Sequence, residues 1–134
     1  MLLKGILNPQ INSLLARVRH TNMIVIADRG FPFWPMIETV DISLVDDVPT
    51  VLQVFQAIRL NFEISEILMA REFIKANTPE VSKAFANAIS DIPLRYQIHT
   101  ELKKLVPGAV GLIRTGDTIQ YANMVIVSGP MEKR

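Results

Sequence analysis

Apolar positions along the chain alternate between helical spacing and short continuous runs. Ile11, Leu14, Leu15 and Val18 fall at i, i+3, i+4 and i+7, which predicts an amphipathic helix over about residues 10–19. Met23-Ile24-Val25-Ile26-Ala27 then forms a short β-branched run that stops at Asp28. Such a run predicts a strand buried on both faces, because neither face needs a polar residue. Gly30, Pro32 and Pro35 break the chain between Asp28 and Met36, and Ile37 to Val40, closed by Asp41, predicts a second strand. Val51, Phe55, Ile58 and Phe62 mark a helix starting near Pro49-Thr50, and Ile64 to Ala70 is the next strand. Thr78 as N-cap with Pro79 at the first helical position opens another helix, continued by Val81, Ala84, Phe85, Ala88 and Ile89. Leu94 to Ile98 predicts a strand ending at His99, after which Thr100 caps a short helix to about Leu105. Ala109 to Ile113 and Met124 to Val127 are the last strands.

Strands alternating with helices of this length predict an α/β fold. The expected architecture is a three-layer sandwich, with a mostly parallel central sheet and helices on both faces. No repeat, low-complexity tract or linker divides the chain, so one domain is expected over residues 1–134. Ligands of such sheets bind at the carboxyl ends of the strands. Asp28 and His99 sit at predicted strand ends, and His20 sits at a helix end shortly before the strand that finishes with Asp28.

Composition narrows the chemistry. A hydrophobic fraction of 49% with 20% charged residues is that of a globular protein. The absence of cysteine excludes disulfides, thiolate metal sites, iron–sulfur clusters and cysteine nucleophiles. Two histidines leave little room for a histidine-rich site, and no metal is expected. A net charge of +1 exerts no long-range pull on nucleic acid or an anionic membrane, and neither is an expected partner. No apolar run reaches the roughly 18–20 residues that span a bilayer. The Met1–Leu7 start is too short for a signal peptide and lacks a cleavage site, so a cytoplasmic location is expected. Neither GxxxxGK[ST] nor GxGxxG occurs, so nucleotide phosphates lack their usual cradle.

Each candidate side chain has a plain reading beside a functional one. His20 follows Arg17-Val18-Arg19 and is either a cation at a helix C-terminus or a general acid or base. Asp28 either opens a turn before Arg29-Gly30, or orients His20 or binds a hydroxyl. His99 is either the opening residue of a helix or a strand-end site residue. Tyr121 and Asn123, two apart in an extended segment, point to one side and offer neutral groups suited to sugar hydroxyls. Phe31-Pro32-Phe33-Trp34-Pro35 is the most aromatic stretch, as a platform for an apolar sugar face or as part of a subunit interface. Glu63, Glu66 and Glu72 read as surface or loop charges, and Arg114-Thr115-Gly116-Asp117 as a turn.

These landmarks, in order, resemble the ribose pyranase and fucose mutarotase family. The resemblance runs through Gly5-Ile6-Leu7-Asn8, His20-Thr21, the strand into Asp28, Gly30-Phe31-Pro32 and Asp41-Ile42-Ser43-Leu44. It continues through Glu72 with Ile74-Lys75-Ala76, His99 before Glu101-Leu102-Lys103-Lys104, Ile113 to Asp117, and Tyr121-Ala122-Asn123. It implies a cofactor-free isomerase acting on cyclic forms of a free aldose. The ribose branch exchanges pyranose and furanose rings, and the fucose branch exchanges anomers. By carry-over His20 is the proton donor, and Asp28, His99, Tyr121 and Asn123 bind the sugar. Histidine at 99, where the fucose branch tends to have arginine, and the Tyr-Ala-Asn ending lean toward ribose. The resemblance also implies a ring-shaped homo-oligomer, decameric in well-known members, with sites at subunit interfaces. Arg29, the bulky Phe33-Trp34-Pro35 and Asp117 depart from the family's usual residues. A non-catalytic sugar-binding module serving sugar uptake would carry the same residues.

Overall fold

A computed structural model of the chain describes residues 1–131; residues 132–134, the end of the expected domain, lie outside the described residues. The first helix, α1 (Pro9–Arg17), starts where the Asn8 side chain accepts the Ile11 N–H at 2.9 Å, and it turns Ile11 and Leu14 into the core. It ends two residues earlier than its apolar spacing predicts, because Val18 is already extended, although still buried. The strands β1 (Met23–Ala27) and β2 (Glu38–Asp41) follow, then α2 (Val51–Arg59). A reciprocal capping box fixes the start of α2: Gln53 N–H donates to the Thr50 hydroxyl and Thr50 N–H to the Gln53 side chain. Next come β3 (Ile64–Ala70), the short α3 (Glu72–Ala76) and α4 (Pro79–Ile89), which Thr78 caps as expected. The chain closes with β4 (Leu94–Gln97), α5 (His99–Leu105), a 3₁₀ turn (Val106–Gly108), β5 (Gly111–Arg114) and β6 (Met124–Ser128). Thr100 does not cap α5, which begins one residue earlier, at His99, with no side-chain cap from Ile98.

The strands form one sheet in the order β2-β5-β1-β6-β3-β4. The β2·β5, β5·β1 and β3·β4 pairs are parallel, while β6 runs antiparallel to both β1 and β3. A parallel return needs a crossover of about a dozen residues or more. Only residues 115–123 separate β5 from β6, so the chain comes back antiparallel. The other five strands all point the same way.

Both faces are covered. Ile24 and Ile26 of β1 face a core shared with Leu14 of α1, Phe55 of α2 and Phe85 of α4. Val25 and Ala27 face the opposite core, with Leu102 of α5, Val106 and Phe31. This division is why β1 carries no polar residue, and it realises the three layers expected from the alternation of elements.

Candidate functional site

The shared direction of five strands makes one edge of the sheet chemically distinct. It gathers the carboxyl ends of β1, β2, β3, β4 and β5 with the amino end of β6. Asp28 leaves β1 there, Glu72 follows β3, His99 follows β4, and Tyr121 and Asn123 lead into β6. Asp28, Phe31, His99, Tyr121 and Asn123, with Gly30, Pro32 and Gln120 at the rim, line a cavity of about 330 Å³. That volume suits a small polar molecule.

Asp28 is held from two sides. Its backbone N–H donates to Asn123 Oδ1 at 2.8 Å, and its own Oδ1 accepts the Gly30 N–H at 3.0 Å. Burial pushes its carboxyl above the usual value of 3.8; the N–H groups of Gly30 and Phe31 and the Asn123 side chain oppose the rise, and the Asp117 carboxylate adds to it. Asn123 is only 2% exposed, so its amide oxygen fixes Asp28 while its place in the cavity wall leaves the rest of the amide at the site.

His99 stands at the first position of α5. Its N–H donates to both Glu72 carboxylate oxygens, at 3.0 and 3.2 Å. Tyr121 meets the imidazole edge-on with centroids 5.0 Å apart, and Phe31 does so at 6.2 Å. His99 Nδ1 is buried with no hydrogen-bond partner among the described residues. Burial holds the imidazole below its usual 6.5, and Lys103 lowers it further, against the carboxylates of Glu72 and Asp28. At neutral pH the ring is therefore uncharged and can accept a proton or a hydrogen bond.

Tyr121 is not in extended backbone, contrary to the alternation argument for it and Asn123. Its φ is +57°, a left-handed conformation that costs a non-glycine residue about 1–3 kcal/mol. Both residues reach the cavity all the same, Tyr121 from a turn and Asn123 from the residue before β6.

The structure does not bring His20 to this cavity. His20 precedes β1 and lies over Gly129 at the opposite edge of the sheet. The strand between it and Asp28 is about 16 Å long at 3.2–3.4 Å per residue. Asp28 therefore cannot orient His20 within one chain. His20 does not cap α1 either: Val18 is the cap residue, and Arg19 Nη1 donates to the Ala16 carbonyl at 2.7 Å. His20 is left exposed.

Two other expectations change. Glu72 is not a loop charge but the first residue of α3, with its carboxylate on His99. The strand-end rule that singled out Asp28 and His99 picks out Glu72 as well, since it stands two residues beyond Ala70. Asp117 is not merely part of a turn: it is 1% exposed, and its two oxygens accept the N–H groups of Val51 and Ile119, both at 2.8 Å. The aromatic stretch also divides, with Phe31 packed against His99 and Phe33 turned outward, 75% exposed. Among the described residues no group of three or more His, Cys, Asp or Glu side chains is arranged to hold a metal ion, and no helix is long and apolar enough to cross a membrane.

Comparison with known proteins gives a consistent picture. The profile of the RbsD / FucU transport protein family matches residues 1–131. A D-ribose pyranase from Geobacillus thermodenitrificans is 38% identical over 125 residues, covering 93% of this chain and 94% of that protein. The structure of Bacillus subtilis RbsD complexed with D-ribose superimposes with a TM-score of 0.89 at 32% identity, covering 98% of this chain and all of that one. The fucose mutarotase from Streptococcus pneumoniae in complex with L-fucose shares the fold, with a TM-score of 0.78 at 17% identity over 93% of this chain and 94% of that one. From its first residue to the last one described, this chain belongs to the RbsD / FucU family.

Proposed function

We propose that the protein is a cofactor-independent isomerase that interconverts the pyranose and furanose forms of free D-ribose. The observation that carries this reading is the cavity at the sheet edge. A carboxylate, an uncharged imidazole, a phenol and an amide converge there on a space of about 330 Å³. That set offers neutral and anionic partners for several hydroxyl groups and no cationic group for a phosphate. The likeness to D-ribose pyranases at 38% identity supports ribose as the sugar, as does histidine rather than arginine at position 99.

Ring opening takes the proton from the anomeric hydroxyl, delivers one to the ring oxygen and breaks the bond between C1 and that oxygen. The open-chain aldehyde is then attacked at C1 by a different hydroxyl, which gives the other ring size. Asp28, His99, Tyr121 and Asn123 bind and orient the sugar in this scheme, and His20 is the proton donor. General acid–base help of this kind is worth about 10²–10⁴-fold. His20 lies at the far edge of its own sheet, so it serves the cavity of a neighbouring subunit in a homo-oligomer, a ring-shaped decamer in this reading. Its exposure supports that arrangement, together with outward-facing Phe33 and Leu44, 75% and 76% exposed. A cytoplasmic location belongs to the same reading and is checked by cell fractionation.

The test is NMR saturation transfer between ribose ring forms, with fucose run alongside. Wild-type protein is expected to speed ribose exchange well beyond buffer, and His20→Ala to lose most of that acceleration. Saturable ribose binding without faster exchange would replace the isomerase with a sugar-binding module, and faster exchange of fucose anomers alone would replace the substrate.

A further inference from the structure

The cavity has two walls that are distant in sequence, and one short helix touches both. At the start of α3, Glu72 accepts the His99 N–H with both carboxylate oxygens, at 3.0 and 3.2 Å. One residue earlier, the Arg71 N–H donates to the Gln97 carbonyl at 2.8 Å, so the end of β4 is tied to the same segment. Just past the other end of α3, Asn77 Nδ2 donates to two carbonyls, Phe73 at 2.8 Å and Gln120 at 2.9 Å. The Gln120 carbonyl belongs to the peptide plane about which Tyr121 takes its φ of +57°. Fixing that plane fixes the direction in which the phenol leaves the backbone. The helix itself is immobilised by Phe73, which is 1% exposed and packs against Phe85 with centroids 4.7 Å apart and the rings tilted by 55°. Phe73 is the one buried residue of its five, so α3 is anchored to the core at that point and to the cavity walls by the groups at its ends.

We infer that α3 is a clamp, with Glu72 and Asn77 as positioning residues that set the spacing of His99 and Tyr121 across the sugar cavity. The inference rests on the sugar-isomerase reading for its consequence, but not for its geometry. The imidazole and the phenol meet edge-on at 5.0 Å with nothing covalent between them. Their separation follows from where α5 begins and how the turn before β6 is held, and α3 sets both. Around the imidazole stand Lys103 on its own helix, Glu72 on α3, Asp28 after β1 and Tyr121 before β6. Of these, Glu72 is the one whose side chain accepts the His99 backbone N–H.

Four variants, Glu72→Gln, Glu72→Ala, Asn77→Ala and Asn77→Asp, test the clamp in the full-length protein. Two readouts are taken: ribose exchange kinetics, and NMR of the imidazoles, of which the chain has only two. Misplacing a binding group by about 1 Å can cost about 10²-fold. Glu72→Ala is therefore expected to lower kcat/KM by about tenfold or more. Glu72→Gln, which keeps an acceptor oxygen for the His99 N–H, is expected to lose less. It should also move the His99 titration midpoint downward. Asn77→Ala is expected to raise KM by about tenfold, to shift the Tyr121 ring resonances and to leave the His99 midpoint unmoved. Asn77→Asp keeps the shape but turns an acceptor toward two carbonyls, so it should do the same if the alanine variant folds poorly. An unmoved His99 midpoint in Glu72→Gln, together with unmoved Tyr121 resonances in either Asn77 variant, overturns the clamp. These NMR readouts need no turnover. If wild type fails to speed ribose exchange, the sugar-isomerase reading falls and the clamp is still decided.

Discussion

At the scale of single residues, the site is a place where charge is made expensive in two opposite ways. Burial raises the carboxyl of Asp28 from 3.8 and lowers the imidazole of His99 from 6.5, so the two groups approach each other from either side. Sugar binding through an ionised Asp28 and an uncharged His99 then predicts a kcat/KM that is level near neutrality. It should fall on the acid side through an Asp28 midpoint above 3.8 and a His99 midpoint below 6.5, and His99→Gln should remove one of the two groups from that fall. The stability linkage has the matching signs. His99 binds its proton less well folded than unfolded, so its contribution is present above 6.5 and is lost as pH falls through the folded value. Asp28 binds its proton better folded, so its contribution is present below 3.8 and is lost as pH rises through the folded value. Asp28→Asn therefore relieves a cost at neutral pH. It is expected to abolish activity while leaving Tm equal or higher, and a clear drop in Tm would show that the hydrogen bonds of Asp28 outweigh its buried charge. Asp28 and His99 are legible as cavity-lining residues because each follows a strand, whereas Tyr121 and Asn123 reach the cavity although the extended spacing that pairs them fails at the positive φ of Tyr121. The strand-end rule reaches Glu72 as well, but its role is not legible, because a carboxylate is common on surfaces and nothing in its neighbours marks its partner as a backbone N–H.

At the scale of elements, what the sequence made plain was what repeats or caps. The spacing of Val51, Phe55 and Ile58 announced α2, Thr78 with Pro79 announced α4, and the unbroken apolar run of β1 announced a central strand with a core on each side. The five residues of α3 hold one buried side chain, Phe73, and one side chain has no period, so that helix could not be read. The partner of Asp117 was equally invisible, since it is the start of α2, 66 residues away. A carboxylate facing a helix N-terminus is favourable in itself, and here the Val51 N–H it accepts is buried. Removing it leaves a buried donor without a partner, which costs about 1–3 kcal/mol. Thr50→Ala removes a more exposed cap, worth about 0.5–2 kcal/mol. Asp117→Ala is thus expected to lower the urea midpoint more than Thr50→Ala does, at an unchanged m-value. The reverse order would mean that the Thr50 capping box, rather than the buried carboxylate, holds the start of α2.

For the whole molecule, the order of strands decides which groups can meet. The alternation of elements predicted a mostly parallel sheet, and although the short connection before β6 accounts for its opposite sense, no local pattern could show that it would enter between β1 and β3. That reversal puts Tyr121 and Asn123 at the same edge as Asp28 and His99, and the end of β6 beside His20 at the other. The sequence placed His20 eight residues before Asp28, and nearness along the chain looked like nearness in space. A strand in between makes it the reverse. In the proposed oligomer each site takes His20 from one subunit and Asp28 from the next, so two inactive variants should restore one another. Co-expressing His20→Ala and Asp28→Asn chains in equal amounts places an intact His20 beside an intact Asp28 at about one site in four, if subunits mix at random around a closed ring. Ribose exchange should then return to about a quarter of the wild-type rate per site, while each variant alone stays near the buffer rate. A His20 that served its own chain would give no recovery, because every chain in the mixture lacks one of the two groups.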